Sequence, residues 1–196
     1  MKNRKTRSAM RRMLFTLALV LVVAVASVGG TIAWLTDKTD TVTNTFTVGD
    51  VDIELDETTG TNYKVIPGVN IRKDPKVTVK AGSEACWLFV KVVKSTNWNS
   101  KLSFTIADGW TELTEGSGIY WRKVEDLTAD TATDKVFAVL ANNTITVSDA
   151  LTKDEITADN KPTLAFTAYA IQQEGFNDTT KTEAQNAAAA WAEASK

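Results

Sequence analysis

The sequence predicts an all-β protein, an antiparallel β-sandwich or jelly roll of about 8–10 strands with an N-terminal signal helix and a short C-terminal helix. Three observations carry that expectation. Threonine occupies 29 of 196 positions. Apolar residues between turn residues recur with period two, the pattern of a strand with one buried face. Turn signals recur at spacings of roughly 8–12 residues, too close for crossover helices and parallel βαβ units.

The elements follow in order. Val51 to Asp56 alternates apolar and acidic residues, and Lys76 to Lys80 and Leu102 to Ile106 alternate likewise, so each is expected to keep one wet face. Cys86 to Val93 and Leu164 to Ile171 are apolar on both faces and are expected to be the central strands. Further strands are expected at Gly118 to Val124, Lys135 to Leu140 and Thr144 to Ser148. Turns are expected at Pro67-Gly68, Ala81-Gly82, Asp108-Gly109, Glu115-Gly116 and Asn142-Asn143. The alanine-rich run Thr182 to Glu193 predicts the one clear helix, with Trp191 docking one face; it is either a lid on the sandwich or a frayed tail.

Composition narrows the chemistry. The chain has no histidine and one cysteine, which removes Ser-His-Asp, Cys-His and HExxH machinery, an intramolecular disulfide and a four-thiolate metal site. All six charges in the first 13 residues are basic, and the rest of the chain carries 16 basic against 24 acidic residues, a balance of −8. Such an acidic remainder repels phosphate backbones and argues against a broad nucleic-acid surface.

The basic start is followed by 24 uncharged residues, Met13 to Thr36, and within them by Gly29-Gly30-Thr31-Ile32-Ala33. A basic region, an apolar region and a run of small residues describe a secretory signal, residues 1–33, cleaved near Ala33; Thr31, Ala33 and Trp34 define the cleavage region. The same apolar run is long enough to span a bilayer as an uncleaved anchor. Residues 34–48 read as an extended segment, 49–180 as the β-sandwich domain and 181–196 as the helical tail.

Residues 29–55 resemble the signal-and-start region of the TasA/camelysin family, through Gly29, Gly30, Thr31, Phe46, Gly49, Ile53 and Leu55. The block from Pro67 to Val93 is similar to the segment that follows in that family, with Pro67-Gly68, Lys73 and Val77 in register. A weaker echo lies in Ala165 to Phe176 and the Trp-containing tail. The resemblance implies processing by a SipW-type signal peptidase and export to the cell surface or extracellular matrix. It also implies a jelly-roll subunit that self-associates into biofilm-matrix fibres by donating its N-terminal segment as a strand to a neighbour. Leu35, Val42, Asn44 and Phe46 are the proposed donor-strand residues, in a segment without proline or glycine; the same residues could instead form a first strand of their own domain or a flexible leader. Membrane contact is expected only through the signal segment before cleavage.

Cys86 lies in the most apolar strand and reads as a small core side chain rather than a nucleophile. The tryptophans read first as packing, with a sugar-stacking platform as the alternative. Asp126, Asp130 and Asp134, and separately Asp149, Asp154, Glu155 and Asp159, offer oxygen ligands, but neither set has a calcium-loop spacing. The metallopeptidase label attached to the resembled family finds no zinc-binding histidines here. The expectation is a non-catalytic fibre subunit without a cofactor; the alternative is a membrane-anchored monomeric surface binding module.

Overall fold

The computed structural model describes residues 50–157 and 159–196. The signal segment, its expected helix, the cleavage residues Thr31, Ala33 and Trp34, and the donor-strand residues Leu35, Val42, Asn44 and Phe46 lie outside the described residues. The described chain is mostly β, with ten strands in three antiparallel sheets and a short C-terminal helix.

The first sheet has the order β1-β3-β8, from Ile53–Asp56, Lys76–Val79 and Lys135–Ala138. The second is ordered β10-β4-β7-β6, from Leu164–Gln172, Cys86–Lys94, Ile119–Val124 and Thr111–Glu112. The third joins three short strands, β2-β9-β5, from Ile71–Arg72, Thr144–Val147 and Leu102–Ser103.

Strand β4 organises the whole. Its even-numbered residues Cys86, Leu88, Val90 and Val92 bury themselves against Val77 and Val79 of β3, in the space between the first two sheets. Its odd-numbered residues Trp87 and Phe89 face the other way and pack with Trp121 beneath the C-terminal helix, α1 (Glu183–Ala194). Both faces are covered because two different elements cover them, which is why this stretch lacks a polar alternation. Removing this apolar surface from water is the main driving force for the arrangement.

The helix is a lid rather than a frayed tail. Thr182 starts it with a capping box: its hydroxyl accepts the Gln185 N–H, and the Gln185 side chain accepts the Thr182 N–H at 2.9 Å. Ala187 and Ala190 are fully buried and let the helix approach the sheet closely. Trp191 meets Phe89 and Tyr169 at ring-centroid distances of 5.4 and 5.0 Å.

The expected turns each hold a residue with positive φ, namely Gly68, Gly82, Gly109, Gly116 and the pair Asn142-Asn143. Gly118 adds a tighter constraint: a Cβ there would lie 2.6 Å from the Val92 carbonyl oxygen.

Two expectations need correction. The strand expected over Leu102 to Ile106 pairs with β9 only at Leu102–Ser103; the chain then crosses to residues 139–141, where Ala107 N–H donates to Val139 O and Ala141 N–H to Thr105 O. It turns a corner between sheets. The stretch Leu164 to Ile171, expected to be central, forms β10 and stands at the edge of its sheet among the described residues. Its two-sided apolarity comes from the first sheet on one face and the helix on the other, and faces say nothing about lateral neighbours.

Candidate assembly edge and the cleft at its end

Strand β10 pairs with β4 across nine residues, from Leu164 opposite Lys94 to Gln172 opposite Cys86. In an antiparallel ladder alternate residues direct their N–H and C=O groups to the partner. The bonds from Ser95 N–H to Thr163 O and from Gln173 N–H to Ala85 O bracket the pairing and set its parity. Odd-numbered residues therefore bond to β4. Leu164, Phe166, Ala168, Ala170 and Gln172 turn their peptide groups outward, away from the sheet.

This edge differs from the others. The outer side of the β8 region is occupied by the Ala107–Val139 bond and by the Trp110 indole N–H, which donates to Ala138 O at 2.8 Å. Strand β1 is four residues long and carries Glu54 and Asp56, paired with Lys80 and Lys76. Strands β2, β5 and β6 are two residues each. Shortness and charge are the usual devices that keep an edge from accepting another strand. Strand β10, Leu-Ala-Phe-Thr-Ala-Tyr-Ala-Ile-Gln, is long and carries no charge and no proline.

At the N-terminal end of β10 lies a cleft of about 540 Å³, bounded by the loop bearing Tyr63, the β2-β9-β5 sheet and the segment leading into Leu164. One wall is fixed by a half-buried polar clasp. Lys73 Nζ donates to both oxygens of Glu57 at 2.6 and 2.9 Å, and the Tyr63 hydroxyl donates to the same carboxylate at 2.5 Å. The Lys73 ammonium also lies over the rings of Tyr63 and Phe166, at 5.0 and 5.4 Å. Beside it, Asp74 accepts the Thr58 and Thr59 N–H groups at 3.0 and 3.1 Å and the Thr58 hydroxyl. These bonds, the Thr58 hydroxyl foremost, hold the Asp74 carboxyl down at about 2.

The other candidate chemical residues fall elsewhere. Cys86 is fully buried, and burial pushes its thiol up to about 11. Trp87 and Trp121 are core side chains, while Trp98 is half-buried in the wall of the cleft. Asp126 accepts the Thr128 N–H, Asp134 takes the Ala81 N–H and an ion pair with Lys80, and Glu155 takes Thr152 and Lys101. Among the described residues no group of three or more acidic or thiol side chains gathers at one point. Also among the described residues, no helix is long and apolar enough to cross a membrane.

Sequence reasoning missed the Lys73–Glu57 clasp, because a charged run such as Arg72-Lys73-Asp74 reads as solvated. Pro75, which follows it, is fully buried, but that burial is not written in the sequence. No family model, curated protein or solved structure matches this chain.

Proposed function

We propose that this chain is an exported structural subunit of extracellular-matrix or cell-surface fibres, of the TasA/camelysin-like type. The two facing sheets form its jelly-roll sandwich. After a SipW-type peptidase cleaves near Ala33, the freed segment 34–48 of one subunit adds as a strand to the outer edge of β10 in the next. The observation that supports this reading most is that edge, nine uncharged residues with alternate peptide groups directed outward.

The donor chemistry fits an edge of this kind. Strand addition takes its affinity from main-chain hydrogen bonds and its register from alternate side chains. Leu35 to Thr47 has no proline to interrupt the ladder, and Val42, Asn44 and Phe46 share one face against the threonines of the other. The segment is longer than the nine-residue edge it would cover. Because donor and acceptor are different surfaces, the contact repeats head to tail and grows a filament instead of closing as a dimer. Until cleavage the membrane-held start prevents the segment from reaching a neighbour, so processing is the trigger. Catalysis, cofactors and nucleic acid have no part in this reading.

A chain beginning at Leu35 should sediment as polymer and show filaments by negative-stain microscopy, whereas one beginning at Gly49 should remain monomeric. If both stay monomeric from low to high salt, strand donation fails. The second reading, a membrane-anchored monomeric surface module, then takes its place; the cleft beside Trp98 is the observation that favours it.

A further inference from the structure

We infer that the cleft at the end of β10 binds an anionic amphiphile, with an aliphatic chain on its floor and a single carboxylate or phosphate head held at the rim by Lys153 and Lys161. The inference is independent of whether the chain assembles into fibres.

The lining sets the class of ligand. The floor is made of branched aliphatic side chains, Ile71, Ile145, Leu151, Ile156 and Leu164, which favour a flexible hydrocarbon over a hydroxyl-rich ring. Trp98 presents hydrocarbon too, since its indole N–H is already given to Leu102 O at 3.1 Å and its ring abuts Phe104. A volume of about 540 Å³ lies within the range of small-molecule pockets, about 300–1,000 Å³.

The charge sets the head group. Three lysines and no carboxylate line the cleft, in a chain whose balance after its first 13 residues is −8. Lys73 is neutralised by Glu57. Lys153 and Lys161 are exposed and have no ion pair among the described residues, although acidic residues flank them in sequence. Glu155, the acid nearest Lys153 in the cleft segment after Asp154, is held by Lys101 and Thr152. The hydroxyls of Thr157 and Thr163 at the same rim can donate to the oxygens of an anionic head. A cationic amphiphile would meet like charge, and a neutral sugar would find no carboxylate to accept its hydroxyl protons.

The test uses the full chain in phosphatidylcholine nanodiscs, photolabelled with diazirine-bearing dodecanoate and mapped by mass spectrometry. Adducts are expected in 61–73 and 151–164, displaced by unlabelled dodecanoate but not by dodecanol or dodecyltrimethylammonium. Reversing the rim charges with Lys153→Glu and Lys161→Glu should lower labelling at least tenfold, and Ile156→Trp should block it by filling the floor. The two lysines are exposed, so their variants should keep the circular-dichroism spectrum of the parent. Repeating the assay with phosphatidylglycerol in the discs separates the sources: competition identifies a membrane lipid as the ligand, and undiminished labelling identifies a free fatty acid. Equal displacement by dodecanol, labelling that survives charge reversal, or adducts outside the cleft would overturn the inference.

Discussion

Asp74 carries its effect through three hydrogen bonds from the Thr58–Thr59 turn. Its folded value of about 2 lies below the ordinary 3.8, so its contribution to stability is fully present above that ordinary value. It is lost as pH falls through about 2. Asp74→Asn keeps an oxygen for the two N–H groups but loses the negative charge that strengthens these bonds, and should lower Tm at neutral pH. The gap between variant and parent should close between about pH 4 and pH 2; thermal melts across that window check it, and a gap that does not change with pH would contradict the assignment. Glu155 and Asp178 are held at about 2 by similar local bonds, so the parent weakens in the same window and the difference is the quantity to read. None of this was legible in the sequence. Acidic residues next to threonines read as solvated loops or weak cation ligands, because the partner that decides, such as Thr58 for Asp74, is sixteen positions away.

At the scale of elements, much was legible wherever a side chain reports its own surroundings. The alternation in β9 marks a strand with one covered face, whereas the alternating β3 is covered on both, Thr78 included; the double apolarity of Cys86 to Val93 marks a strand covered on both faces over Cys86–Val90. The Thr182–Gln185 spacing lies just before the alanine run that forms the helix. Lateral position was not legible, and β10 is the case in point: its Tyr169 packs on Trp191 and its Phe166, Ala168 and Ala170 pack on the first sheet, as a central strand's residues would. Hydrogen-bond parity supplies what the pattern lacks and can be tested with proline, which removes an N–H. Ala168→Pro removes an outward-facing N–H and should leave the monomer folded while blocking assembly. Thr167→Pro removes an N–H that bonds to β4 and should destabilise the fold by about 1–3 kcal/mol. Circular dichroism and sedimentation on the two variants distinguish these effects; equal loss of fold in both would mean the parity is wrong.

At the scale of the molecule, the proposed assembly uses the long edge of β10, unpaired among the described residues, as the place where one subunit continues into another. A polymer built this way converts exposed peptide groups into paired ones, and amide exchange reads that conversion directly. The most direct measurement is hydrogen–deuterium exchange, at single-residue resolution, on the chain beginning at Leu35 before and after assembly. The amides of Phe166, Ala168 and Ala170 should exchange quickly in the monomer and slow by about a hundredfold or more in filaments, together with alternate amides of residues 35–47. Filaments in which those three amides stay fast, while protection appears at another edge, would contradict assembly through β10.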